Sequence, residues 1–164
     1  MITPQYVQMM ARYNQWQNCN LYDAADKLDD AARRKDRGAF FGSIHNTLAH
    51  ILWGDALWMS RFDKWEPPTD KGGIVIANWV DLNQARMAAD ARFIDWGARV
   101  RQDDLRGDLT WHSAGMNRDF TLPRAACIVQ IFNHQTHHRG QVHAMLTAAG
   151  AKPGDTDLVF MKEI

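Results

Sequence analysis

Apolar residues recur every three or four positions through four long stretches of this 164-residue chain, which is the pattern of helices with one buried face. The predicted helices span residues 3–31, 41–62, 78–102 and 123–150. Thr3 and Pro4 are typical of a helix start. Gly150 is well placed as a C-cap residue. Four long amphipathic helices without a convincing sheet favour an all-α four-helix bundle.

The segments between these helices are read as connections. Charged and turn-forming residues at 29–38 end the first helix, and residues 63–77 form a predicted long connection. Two short strand-like runs around a glycine-containing turn at 105–122 predict a small β-hairpin before the last helix. Residues 151–164 are predicted to be an extended closing segment. Because the chain has the length of one ordinary domain and no repeat, residues 1–164 are expected to form a single domain.

Charge and cysteine content narrow the expected partners and compartment. The 19 basic and 19 acidic residues balance, so no nucleic-acid or anionic-membrane partner is expected. Apolar runs fall short of the ~20 residues that span a bilayer, and no signal-peptide pattern is visible, so a cytoplasmic protein is expected. Cys19 and Cys127 lack ligand-like spacing and are expected to be packed thiols.

Two histidines occupy the buried stripe of the last helix. His134 and His138 fill the two positions between Ile131 and Val142 in the apolar series. Residues four apart on a helix lie close enough for both imidazoles to reach one metal ion. Two core histidines satisfied by hydrogen bonds are the alternative.

His50 is the best third ligand, since it lies mid-helix among residues expected to face the interior. An ordinary buried histidine is the alternative there. His45 is about 140° around the helix from His50 and is expected at the surface or in a cap. The remaining histidines lie off the ligand face (His137, His143) or in the predicted hairpin (His112), from which His112 could reach the mouth of the site.

The supply of carboxylates excludes two kinds of metal enzyme. Glu66 and Glu163 are the only glutamates, too few for a di-iron carboxylate bundle. A His-Glu-x-x-His protease site fails because Gln135 follows His134. What remains is three neutral imidazoles around one divalent ion, Zn²⁺ or Ni²⁺, with a position open to water or substrate. Such an ion lowers the pKa of a bound water or thiol.

The run His134–Val142, with His50 inside Leu48–Trp53 and with Tyr13–Trp16 in the first helix, resembles the DinB (damage-inducible) family of DinB/YfiT-like four-helix bundles. The resemblance covers nearly the whole chain. It implies one metal ion held by His50, His134 and His138, and frequent homodimers. Related members include thiol-dependent S-transferases and a maleylpyruvate isomerase, in which the metal is thought to activate a low-molecular-weight thiol.

Four residues near the histidines have open roles. Arg139 is either a carboxylate anchor for a thiol cofactor or a surface ion pair. Gly140 costs roughly 1 kcal/mol relative to alanine, which suggests a close approach by another helix or a cofactor. Gln141 either lines the pocket or faces solvent. Trp53 either packs in the core or at an interface, or walls an apolar substrate pocket.

Two functions therefore compete. One is a metal-dependent thiol S-transferase or hydrolase that acts on a small electrophile. The other is a non-catalytic metal-binding protein of stress response or interaction. A coordination position left open inside an apolar pocket favours the enzyme, whereas a ligand set closed by protein favours the second function.

Overall fold

The computed structural model describes residues 1–69, 73 and 76–162. Within them, four long helices, one short helix and a two-stranded hairpin confirm the predicted helical bundle with a small hairpin before the last helix. The elements are α1 (Pro4–Asp26), α2 (Asp30–Arg34), α3 (Ile44–Phe62), α4 (Trp79–Arg99), β1 (Asp108–Ser113), β2 (Arg118–Pro123) and α5 (Arg124–Ala148). Single 3₁₀ turns lie at Gln102–Leu105 and Leu158–Phe160.

Short polar side chains start three of the long helices. Thr3 Oγ1 accepts a hydrogen bond from the Tyr6 amide at 3.2 Å, as predicted for this helix start. Ser43 Oγ accepts from the Asn46 amide at 3.2 Å. Asn78 begins α4 in the same way, at 2.8 Å from its partner amide. These bonds satisfy amides that have no partner inside the helix.

The end of α5 follows from one glycine. Gly150 lies one residue beyond the cap residue Ala149 and has a φ of +83°. Its amide donates to the Thr147 carbonyl, and the Ala151 amide donates to the Leu146 carbonyl, both at 3.0 Å. This pair of bonds is the Schellman motif, for which glycine is favoured because it adopts a positive φ without strain.

The first helix ends earlier than predicted. Helical apolar spacing continues through Leu28, but α1 stops at Asp26. Asp29 then accepts a hydrogen bond from the Ala32 amide at 2.7 Å and starts the separate helix α2. A strong N-cap residue therefore overrides the apolar spacing and divides the predicted helix in two.

The predicted connection at 63–77 contains no helix or strand in the part that the structure describes. Within it, Trp65 is buried and its ring lies 5.3 Å from that of Phe93. Gly72, which the sequence places in the same connection, lies outside the described residues. The predicted extended tail contains one 3₁₀ turn, and its last residues, 163–164, also lie outside them.

The predicted hairpin forms in antiparallel register. Trp111 pairs with Phe120, and the rings stack with centroids 5.4 Å apart. Thr110 and Thr121 share a hydroxyl hydrogen bond of 2.9 Å. Such cross-strand pairs are the main stabilising unit of a small sheet.

Two clusters of buried apolar side chains fill the bundle. One contains Leu48, Leu82 and Leu146, and the other contains Phe93 and Phe132. Burial of this apolar surface is the main driving force for folding. Among the described helices, none combines the length and the apolar composition that a membrane span requires.

A layer of buried polar side chains crosses the bundle between these clusters. Asp55 on α3 accepts from Arg86 on α4 at 2.5 Å and from Gln135 on α5 at 2.6 Å. Arg86 also lies 2.9 Å from Asp90, and Arg139 donates to Gln135 at 2.8 Å. All five side chains are buried. Burial raises the pKa of Asp55 to about 6, although the Arg86 guanidinium opposes the shift.

Candidate metal centre

Three histidines from two helices converge inside the bundle. His50 lies on α3, and His134 and His138 lie one turn apart on α5. The Nε2 atoms of His50 and His134 are 3.1 Å apart. The nitrogen that each ring offers as a ligand lies within 4.8 Å of the other two. The structure thus brings together the three side chains that the sequence predicts as ligands.

Gln141 fixes the tautomer of His138. Its Oε1 lies 2.8 Å from His138 Nδ1. Because a carbonyl oxygen only accepts, Nδ1 carries the proton and Nε2 is left free for a ligand bond. The amide nitrogen of Gln141 donates to His137 at 3.2 Å. Gln141 therefore contacts the candidate metal centre through His138, as in the first of its two predicted roles.

Two aromatic rings hold His50. Phe41 stacks on it with centroids 3.8 Å apart and an interplanar angle of 24°. Trp53 is also stacked, at 5.8 Å and 20°. The contact between Trp53 and His50 agrees with a position in the site wall. A ring packed in this way has few orientations available, so its nitrogen stays directed at the other two histidines.

Gly54 makes room for His134. A Cβ at this position of α3 would lie 2.7 Å from His134 Cε1, closer than packed atoms allow. Gly54 was not among the predicted site residues, although a glycine inside a helix four residues after a candidate ligand is a usable signal. Gly140 was predicted instead to be approached closely by another helix or by a cofactor, and the close approach of a helix is wrong. A Cβ at Gly140 would meet nothing within 4 Å.

The three imidazoles are poor bases in this setting. Burial, with the nearby His138 as a second cause, lowers the pKa of His50 to about 4. Burial and the neighbouring imidazoles lower the pKa of His134 to about 3. The pKa of His138 is also lowered, mainly by burial. All three rings are therefore neutral at pH 7, as metal coordination requires.

The other histidines lie outside this cluster. The prediction that His45 is a surface or cap residue is wrong, because it is fully buried and donates to the Ile76 carbonyl at 2.8 Å. His45 does lie on a different side of α3 from His50, but the connection that contains Ile76 covers that side of the helix. His112 pairs with Asp119 across the hairpin at 2.8 Å. Hydrogen bonds to Gln141 and to the Gly154 carbonyl occupy His137 and His143, respectively.

Arg139 is not the surface ion pair that was one of its two predicted roles. Its side chain is 4% exposed. It donates to Gln135 and, at 3.3 Å, to Thr136 Oγ1. The guanidinium lies 5.4 Å from the centre of the Tyr13 ring. Arg139 is not at the surface because α1, through Tyr13, covers this face of α5.

Both cysteines are free thiols. Cys127 is buried, as predicted. Cys19 is exposed on α1, so the prediction that it is packed is wrong. It lines a groove between α1 and the tail, where no neighbouring helix covers it.

The donor set fits one divalent ion. Nitrogens bound to one tetrahedral zinc ion at about 2.0–2.1 Å are roughly 3.3–3.4 Å apart, and the His50–His134 distance of 3.1 Å is close to that spacing. The third nitrogen lies within 4.8 Å of the other two. Among the described residues, no carboxylate belongs to the cluster. A cavity of about 440 Å³ lined by Phe62, Trp96 and Ile128 lies where α3 ends, and none of the three histidines lines it.

Comparisons with known proteins agree with this fold. The DinB family model matches residues 1–164. A crystal structure of a DinB-like protein from Bacillus cereus ATCC 10987 superposes with a TM-score of 0.65 at 15% identity, over 87% of this chain and 90% of that chain. At that identity the likeness concerns the fold alone. The comparison with curated proteins finds no match.

Proposed function

We propose that this chain, which belongs to the DinB family, binds one Zn²⁺ or Ni²⁺ ion through His50, His134 and His138 and uses it in an enzymatic reaction. The reaction is the transfer of a low-molecular-weight thiol to a small electrophile, or the hydrolysis of that electrophile by water. A bound divalent ion would lower the pKa of the thiol or water, so that the nucleophile forms near neutral pH.

The convergence of three neutral imidazoles carries this proposal. Buried histidines in a core normally bond to different polar partners. Here, the Nε2 atoms of two of them face each other at 3.1 Å, and burial keeps both rings unprotonated. Three nitrogens and no carboxylate form a donor set that suits zinc or nickel better than magnesium or calcium.

The chain's own residues supply the rest of the chemistry. Gln141 holds the proton of His138 on Nδ1. Phe41 and Trp53 keep the His50 ring in place and give the site an aromatic wall. In the part of the chain that the structure describes, no side-chain carboxylate belongs to the cluster to act as a base, which favours a nucleophile activated by coordination.

Metal analysis of untagged protein tests the binding step. We expect one Zn²⁺ or Ni²⁺ per chain in the parent protein and none in His138→Ala, with the helix content of the variant unchanged. His112→Ala is the control, since His112 is exposed and paired only on the hairpin. Equal metal content in parent and His138→Ala would exclude the triad as the site.

Turnover separates the enzyme from a non-catalytic metal protein. Purified protein is assayed with a panel of low-molecular-weight thiols and small electrophiles, before and after chelation. We expect turnover that is lost on chelation and restored by the metal. Full metal occupancy without turnover of any pair would favour the non-catalytic stress-response protein. Analytical ultracentrifugation of the same sample tests the homodimer that we also propose.

A further inference from the structure

A further cavity, lined by both polar and apolar side chains, lies on the other side of α5 from the three histidines. Its volume is about 230 Å³, and α1, α5 and the C-terminal tail enclose it. Thr136, Gly140 and His143 line it from α5. On a helix of 3.6 residues per turn, these positions project opposite to residues 134 and 138. The cavity is therefore separate from the candidate metal centre.

Side chains of the bundle hold the tail over this cavity. The Tyr13 hydroxyl donates to the Thr156 carbonyl at 2.7 Å, and Gln17 donates to the Asp155 carbonyl at 3.0 Å. His143 donates to the Gly154 carbonyl at 3.2 Å. Three consecutive tail carbonyls thus accept hydrogen bonds from the bundle, and none of them accepts one from Arg139.

Arg139 is a buried cation at the wall of the cavity. It uses two of its five N–H groups, on Gln135 and Thr136. No carboxylate of the described residues forms an ion pair with it, and Asp55 is reached only through the Gln135 amide. None of the described residues that line the cavity is acidic. Buried guanidinium groups are normally paired with an anion.

We propose that this cavity binds a small organic carboxylate, with Arg139 as its anchor. The remaining N–H groups of the guanidinium match a planar carboxylate. The Thr136 hydroxyl accepts a hydrogen bond from Arg139, and its own hydrogen can be donated to the same carboxylate. Leu21 supplies an apolar wall for the rest of the molecule. The cavity volume of about 230 Å³ suits a small molecule.

The test follows the Nε–H signal of Arg139 by NMR during titration at constant ionic strength. The probes are acetate, benzoate and inorganic phosphate, each up to about 50 mM. The full chain is used as purified and again after chelation, so that binding at a metal ion is recognised by its loss. We expect saturable binding of at least one carboxylate in both samples, tighter than that of phosphate. No saturable carboxylate binding, or tighter binding of phosphate, would overturn the proposal.

A blocking variant avoids substitution of the buried arginine, which could unfold the protein. Gly140→Leu adds a side chain where a Cβ meets nothing within 4 Å and where the residue lines the cavity. We expect it to weaken carboxylate binding by roughly tenfold or more. Gly115→Leu is the matched control, since a Cβ added at Gly115 also meets nothing within 4 Å, but this residue lies in the hairpin turn. Unchanged binding in Gly140→Leu would assign the anion to another site.

Discussion

At the scale of single residues, Gly54 decides whether His134 fits its position. A Cβ there would lie 2.7 Å from His134 Cε1, so Gly54→Ala forces the ring to turn. We expect this variant to keep its helix content, since alanine is the better helix residue, and to bind metal about 10-fold to 100-fold more weakly. Competition with a chromogenic chelator measures the affinity.

Gly140→Ala is the matched control on the facing helix. A Cβ there meets nothing within 4 Å, so this variant should retain metal and gain about 1 kcal/mol of unfolding free energy from helix propensity. If Gly54→Ala binds metal as tightly as Gly140→Ala, close packing at Gly54 has no role in the site.

Gln141 provides a second test, because it acts on the metal centre only through His138. Removing its amide in Gln141→Leu leaves His138 Nδ1 without the acceptor now at 2.8 Å. Loss of such a supporting bond typically weakens metal binding by about 10-fold to 100-fold. Gln141→Glu keeps an acceptor at the same reach and should restore most of the affinity. Failure of this rescue would mean that the side chain matters only for packing.

The histidine cluster could be predicted, with Gln141 and Trp53 as candidate neighbours, but the close approach of other segments to it could not. His134 and His138 show in the sequence because they interrupt an apolar series that is local to one helix. The roles of Gly54 and Phe41 depend on how closely other segments approach the histidines, and spacing along one helix carries no such distance. His45 shows the same limit, since its burial comes from a carbonyl 31 residues away.

At the scale of helices, the buried polar layer determines how α3, α4 and α5 pack together. Arg86 joins Asp55 on α3 to Asp90 on its own helix, and all three are buried. Arg86→Met leaves two carboxylates without their cation, which typically costs about 3–5 kcal/mol of unfolding free energy. Chemical denaturation measures this loss.

The control is Arg99→Met, which removes an exposed arginine paired with Asp63. Exposed pairs contribute at most about 1 kcal/mol, so this variant should stay close to the parent protein. Equal losses in the two variants would contradict a special role for the buried layer.

The helices and the layer differ in how well a sequence predicts them. The start at Thr3 and the end near Gly150 come from residues adjacent to the helix itself, so both were predicted. The polar layer joins Asp55 to residues 31 and 80 positions away. Apolar periodicity contains no information about such pairs, which is why none of them was predicted.

At the scale of the whole molecule, the unfolding free energy of the metal-free protein should depend on pH, because folding changes the pKa values of the histidines inside the bundle. The pKa values of His50 and His134 fall from 6.5 to about 4 and about 3 on folding. Groups with lowered pKa stabilise the fold above their unfolded value, and that stabilisation is lost as the pH falls through the folded values. Asp55 acts in the opposite direction, because its pKa rises from 3.8 to about 6.

Four histidines have a pKa that burial lowers, and two carboxyl groups have a pKa that burial raises. The histidines outnumber the carboxyl groups, so the metal-free protein should have a lower free energy of unfolding at about pH 4.5 than at pH 7. Denaturant titrations at both pH values measure the difference. His134→Asn removes one titrating group from the cluster and should reduce this loss of unfolding free energy between pH 7 and about pH 4.5. In the metal-loaded protein the unfolding free energy should decrease more steeply as the pH is lowered, because protons and the ion compete for the same nitrogens. Metal-free protein that is equally or more stable at the lower pH would show that the imidazoles are not held neutral by burial.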